Sequence, residues 1–313
     1  MAVHPQIAAA LKALADAKLP TLESLTPEAA RAQMGAMSRA RGGEPTPVKS
    51  VEDRTIPGPA RPIPVRIYRP HADAPVGALL YFHGGGHVIG DLDTHDKICR
   101  NLAEGADAVV VSVAYRMGPE DPFPAAVEDC WASLVWLAEA APSLGAPAGR
   151  IVVAGDSAGG NLAAVVALMA RDAGGPAIRS QILIYPVADY RLQSESYKTY
   201  GTGYGVLTAN AMEWFREHYL PGPADAEDWR ASPLLAANLA GVAPALIIAA
   251  ECDVLHGDGV AYAEALKAAG VETEYELYDG MIHGFFGMTP DVDAAGAAQR
   301  RAADAIKAAL AAG

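Results

Sequence analysis

Cysteine is scarce in this chain of 313 residues, with three in all. Cys99, Cys130 and Cys252 stand far apart and form no close pair, which leaves no zinc-type motif and no disulfide framework. Buried free thiols in a reducing cytoplasm are expected. Basic residues are also few: 24 Lys and Arg face 37 Asp and Glu, a formal net charge of −13. Without a basic run, nucleic acid and anionic membrane surfaces are excluded as partners. No apolar run is long enough to span a membrane. The opening segment MAVHPQIAAALKALADAKL has neither a basic start nor a sustained apolar core. No secretory signal is expected there, and a cytoplasmic location is.

What is present is a core. Hydrophobic residues make up 51% of the chain and charged residues 19%, the balance of a packed globular protein. The length allows one large domain or two ordinary ones. Residues 1–45 read as alanine-rich helix, with Thr26 as an N-cap and Pro27 at the first helical position. From about 48, VKSVEDRTI, IPVRIYRP and GALLYFHG read as an opening antiparallel set of short strands. Then AVVVSVAY, RIVVAG, SQILIYP, PALIIAAE and TEYELYD alternate with helical segments. Nearly continuous Val, Ile and Leu strands separated by helices predict an α/β fold, with a mostly parallel sheet covered on both faces. Residues 187–235 break the rhythm. They are aromatic and far longer than one crossover needs, so a lid or binding surface is expected, with Thr208 capping a helix through Trp214 and Phe215.

The sharpest chemical signal is IVVAGDSAGGNLAAVVALMA, a buried strand running through Gly155-Asp156-Ser157-Ala158-Gly159 into a helix. This is G-x-S-x-G in the strand–turn–helix context that exposes a nucleophilic serine. Flanking side chains would collide at so sharp a turn, and glycines at 155 and 159 remove them. No P-loop lysine follows, and no G-x-G-x-x-G spacing competes. Ser157 then needs a base, and the base needs an orienting acid. Only His218, His256 and His283 lie downstream. His283, in the glycine-bounded YDGMIHGFFG after the last clear strand, sits where a base belongs in a parallel sheet. Asp253, just after the strand PALIIAAE, is the better acid. Asp258 reads as ordinary N-terminal dressing of the next helix, and Asp279 shares a loop with His283.

The glycine run of ALLYFHGGGHVIGD is costly unless bare backbone has a use there. His83 and His87 invite a metal reading, but ligands four apart share a face only on a helix, which three intervening glycines oppose. Neither metal nor cofactor is expected. Acyl transfer builds charge on a carbonyl oxygen, and rigid N–H donors must meet it.

Five segments, taken in order, resemble the bacterial hormone-sensitive-lipase-like esterases of the α/β-hydrolase fold. They are HGGGHVIG, VSVAYRMGPEDPFPAAVEDC, GDSAGGNLA, AECDVLHGDGVAYAEAL and DGMIHGFF. The resemblance implies Ser157 as nucleophile, Asp253 as acid and His283 as base. It implies oxyanion donors at Gly84, Gly85 and Ala158, and a helical cap formed by residues 1–45 and the insertion 187–235 on a catalytic domain 46–313. His83 is expected to shape the loop, and His87 and Asp156 to line the pocket. Where the family has Asp-Pro-Leu-Arg, this chain has Asp253-Val254-Leu255-His256, which is expected to loosen or re-aim the acid loop. The expected activity is hydrolysis of small short- to medium-chain carboxylic esters through an acyl-enzyme. A lactonase, carbamate hydrolase or amidase with the same triad is the alternative, and a non-catalytic small-molecule receptor is a further one. A homodimer follows from the resemblance alone.

Overall fold

Short β-branched runs become strands and the alanine-rich stretches between them become helices in the computed structural model. It describes residues 3–41, 43–201, 204 and 206–312. Met1, Ala2 and Gly42 of the expected N-terminal cap segment, Thr202, Gly203 and Gly205 of the expected insertion, and Gly313 lie outside the described residues. The chain opens with α1 (Pro5–Asp16) and α2 (Pro27–Ala40), then β1 (Ser50–Ile56), β2 (Ile63–Arg69) and β3 (Ala78–Phe82). Next come α3 (Asp96–Ala106), β4 (Val109–Val113), α4 (Ala125–Ala140), β5 (Ile151–Asp156), α5 (Ala158–Ala173) and β6 (Ser180–Ile184). The insertion carries α6 (Glu195–Tyr200) and α7 (Ala209–Tyr219). The chain closes with β7 (Ala245–Cys252), α8 (His256–Ala268), β8 (Thr273–Ile282) and α9 (Asp293–Ala311).

Among the described residues the strands form one eight-stranded sheet, ordered β1-β2-β4-β3-β5-β6-β7-β8. From β4 across to β8 every pairing is parallel. β3, β4, β5 and β6 are buried at every position, as strands covered on both faces must be. α3 and α9 pack together on one face, while α4, α5 and α8 cover the other. This is the expected α/β-hydrolase arrangement.

One expectation needs correction. GALLYFHG does not belong to the antiparallel opening: β1–β2 and β2–β4 are antiparallel, but β3 runs parallel to both β4 and β5. The physical reason is α3, a crossover helix between β3 and β4, which returns the chain to the same end of the sheet. As a result β3, β5, β7 and β8 all end on one side, and the chain leaves β3 toward opposite sides of the sheet at β4 and β5. A switch point of this kind opens a crevice at the carboxyl ends of the strands.

Candidate active site

β5 delivers Ser157 in a backbone conformation that L-residues avoid, φ 57° and ψ −117°. Such strain persists only where the surroundings enforce it. Here the Ser157 N–H donates to Ile184 O at 2.8 Å, and its carbonyl accepts from Asn161 N–H at 3.0 Å. The flanking glycines are sterically required. A Cβ on Gly155 would lie 2.3 Å from the Gly159 carbonyl, and one on Gly159 only 1.9 Å from Phe82 O.

His283 follows β8 directly, which runs further than its sequence suggests, through Ile282. Its Nε2 lies 3.0 Å from Ser157 Oγ, and its Nδ1 lies 2.7 Å from Asp253 Oδ2. Asp253 is fully enclosed, and its second oxygen accepts from Leu255 N–H at 2.9 Å. The acid loop is therefore not loose. Its turn passes straight into α8, whose first residue, His256, holds the Glu251 carbonyl through its ring at 3.0 Å. The other candidates point elsewhere: His218 contacts Trp214 O at 2.8 Å, and Asp279 belongs to β8.

The glycine loop departs from expectation. The Gly84 N–H is already taken, donating to Asp156 Oδ1 at 3.0 Å, so it is not available to an oxyanion. Gly84 also has no room for a side chain, since a Cβ would stand 2.4 Å from Asp156 Oδ2. The N–H groups of Gly85 and Gly86 have no hydrogen-bond partner among the described residues, and neither does that of Ala158 at the start of α5. Gly86, which sequence reading passed over, thus offers the free amide that Gly84 lacks. Both residues need glycine, with φ of 118° and 60°. A Cβ at Gly86 would strike the Phe215 ring at 2.1 Å, and one at Gly85 would strike Ile89 O at the same distance.

Asp156 lines the cavity, but its carboxylate is turned to the loop. Besides Gly84 it accepts from Tyr81 OH at 2.7 Å and faces His95 Nε2 at 3.4 Å. Burial alone would raise the Asp156 pKa, yet the charge of His95 and these hydrogen bonds leave it below the usual value. Burial likewise opposes a charge on His95, and the Asp156 carboxylate overrides it and raises the His95 pKa. His83 shapes the loop as expected: its Nδ1 lies 2.8 Å from Gly84 O, and its ring stacks on Tyr115 at 4.4 Å. His87, by contrast, is not among the residues lining the cavity. Its backbone φ of 60° swings the ring into the core, where it stacks on Tyr219 at 3.9 Å and meets Tyr190 OH at 2.7 Å. Burial there pulls its pKa down to about 3.

Asp258 also needs correction. It is 2% exposed rather than solvated, and it accepts from the N–H groups of Ala188 and Asp189, both at 3.2 Å, and from Ser194 Oγ at 3.0 Å. It ties the start of the insertion to α8.

Above Ser157 and His283 lies a cavity of about 540 Å³. Leu14, Leu19 and Met34 line it from the N-terminal segment, and Val206, Met212 and Phe215 from the insertion. α2 is fastened over this space by Arg31, which donates to Val88 O and Gly118 O, each at 2.8 Å, and to both oxygens of Glu120. That guanidinium holds the Glu120 carboxyl down to about 2. The three cysteines are buried and unpaired. No helix among the described residues is long and apolar enough to cross a membrane.

A nucleophile elbow, a histidine and an enclosed carboxylate at the ends of β5, β8 and β7 invite comparison with known proteins. The carboxylic ester hydrolase LipN of Mycobacterium tuberculosis is 46% identical over 266 residues, covering 83% of this chain and 70% of that protein. The ethyl acetate hydrolase of Pseudomonas putida is 40% identical over 301 residues, covering 92% and 93%. Among solved structures, a hyperthermophilic esterase from Pyrobaculum calidifontis superposes with a TM-score of 0.93 at 40% identity and full coverage of both chains. An ester hydrolase from the metagenome of Lake Arreo, complexed with a bipyridine phosphonate derivative, gives 0.94 at 39% identity, covering 99% of this chain and 100% of that one. A family model described as the alpha/beta hydrolase fold matches residues 79–287, and this chain belongs to that family.

Proposed function

We propose that this protein is a serine carboxylesterase acting on small esters, with Ser157 as nucleophile, His283 as base and Asp253 as orienting acid. The observation that carries the reading is the unbroken contact from Ser157 Oγ through both ring nitrogens of His283 to a buried carboxylate, beside three unpartnered backbone amides. Ser157 Oγ attacks the ester carbonyl as His283 Nε2 takes its proton. Asp253 keeps the Nδ1–H tautomer and stabilises the imidazolium that forms. The N–H groups of Gly85, Gly86 and Ala158 receive the developing oxyanion, and each such donor is worth roughly 10²–10³ in rate. The imidazolium protonates the departing alcohol. Water, activated by the same histidine, then releases the acid from the acyl-enzyme.

Residues 1–45 and 187–235 act as the cap over a catalytic body made by the rest of residues 46–313. The identities with named ester hydrolases support the reaction class, and the cavity walls support the cap. The family resemblance supports a homodimer, and the buried free cysteines support a cytoplasmic location, which sedimentation and fractionation would test. Purified protein should hydrolyse p-nitrophenyl esters, and a fluorophosphonate should label Ser157. Ser157→Ala should abolish both while leaving the circular dichroism spectrum unchanged. Substantial turnover by that variant would overturn the assignment.

A further inference from the structure

Arg41 is the anomaly of the cavity wall. It follows α2 directly and shares the cavity with Ser157, Tyr185, His283 and Gly287. Arg39, the other arginine lining the cavity, is exposed to solvent, and the arginines that brace this end of the molecule hold carboxylates: Arg31 grips Glu120, and Arg66 grips Asp53 and Asp93. The Arg41 guanidinium makes no hydrogen bond and no ion pair within 4.0 Å among the described residues. Asp291 acts on it only at longer range, and burial pulls its pKa down. Lys97 adds a second cation at this wall, its Nζ donating to Arg41 O at 3.0 Å. Three of the four acidic residues lining the cavity are already engaged: Asp93 and Asp96 by Arg66 and Arg100, and Asp156 by Tyr81, Gly84 and His95. A partly desolvated guanidinium without a partner is unfavourable, and a bidentate carboxylate relieves the cost.

The position of Arg41 relative to the reaction decides which part of a substrate it meets. A Cβ on Gly287 would stand 3.6 Å from Arg41 Nη1. The charge of Arg41 also acts on Tyr185, whose ring packs against that of His283 with centroids 4.6 Å apart. Arg41 therefore stands on the histidine side of the cavity. The leaving alcohol must lie on that side too, because His283 Nε2 hands it the proton. We infer that Arg41 is a specificity residue, and that the substrates this enzyme favours are esters whose alcohol portion carries a carboxylate. The inference rests on the esterase reading above. It also gives the cation a purpose in a protein of net charge −13, whose overall field repels anions.

The test compares meta-acetoxybenzoate with its neutral isostere meta-acetoxybenzamide, at physiological ionic strength, in the native enzyme, Arg41→Gln and Arg41→Lys. Hydrolysis of the amide-bearing ester by native enzyme reports the esterase reading by itself. The native ratio of kcat/KM, carboxylate over amide, should exceed one. It should fall roughly tenfold or more in Arg41→Gln, the loss expected for a charge-assisted pair, and recover in part in Arg41→Lys. Because the ratio is read within each variant, a change in stability or folded fraction cancels. Competitive inhibition by meta-hydroxybenzoate against meta-hydroxybenzamide should shift in parallel. A ratio that Arg41→Gln leaves unaltered overturns the inference. So does a carboxylate preference confined to the acyl-side pair, phenyl hydrogen glutarate against its amide.

Discussion

At the residue scale, the loop after β3 turns on which way three adjacent peptide planes face. Gly84 points its N–H at Asp156, 72 residues away in the chain, and this anchors the loop so that the next two amides stay free. In the proposed mechanism Asp156 is thus a positioning residue, buried beside Ser157 yet facing away from the reaction. Replacing it with Ala should release the loop and lower kcat about tenfold, short of the roughly 10²–10³ lost when a donor is removed outright. KM should change little. Asp156→Asn retains an acceptor for the Gly84 N–H and should keep most of the lost rate. Equal kcat in all three proteins would reduce Asp156 to filler. The glycine run itself was legible in the sequence as a place for backbone donors. Which of its amides stay free was not, because the answer depends on a partner from β5. The same holds for His87: its loop was legible, but its positive φ and the Tyr219 ring that receives it come from distant chain.

At the element scale, the insertion is held by contacts that local sequence cannot announce. Asp258 looks like routine acidic residue at the first turn of α8, and only the arrival of residues 188–194 buries it. Desolvation is the largest influence on its carboxyl and raises the pKa to about 7, against the opposing pull of its hydrogen bonds. A folded-state pKa above the unfolded value near 3.9 favours folding when the group is protonated. This contribution is complete below about pH 4 and fades as pH rises through about 7. Asp258→Asn removes the titration while leaving an acceptor for the amides of Ala188 and Asp189. Urea unfolding at pH 4.5 and 8, conditions spanning most of that window, should show the variant gaining on native protein as pH rises, by a few kcal/mol at the order-of-magnitude level. A pH-independent difference between the two proteins would show that Asp258 ionises normally. Elements whose signal is internal fared better: Thr26 and Thr208 cap α2 and α7 through Ala29 and Ala211 as their spacing suggests. The direction of β3 is set by α3, the crossover that follows the glycine loop, and not by the short apolar run of the strand itself.

At the scale of the whole molecule, the parallel sheet brings motifs from residues 84 to 283 to one edge. This is why the chemistry could be read from short segments while the cavity could not. The motifs lie at strand ends whose positions the alternating pattern dictates. The cavity walls come from side chains of two segments that meet only in the folded protein. Leu14, Met34, Met212 and Phe215 give it an apolar arm of limited size, within about 540 Å³ in all. Each methylene buried there contributes about 0.8 kcal/mol, or roughly a fourfold rise in kcat/KM. Along a series of p-nitrophenyl esters from acetate upward, kcat/KM should climb by about that factor per methylene. It should turn over in the short- to medium-chain range, where the chain meets the far wall. Met212→Ala deepens that wall and should move the turnover to longer chains, with the shortest esters losing least. A profile still climbing at palmitate, or one that Met212→Ala leaves in place, would mean that the acyl chain does not lie against the insertion.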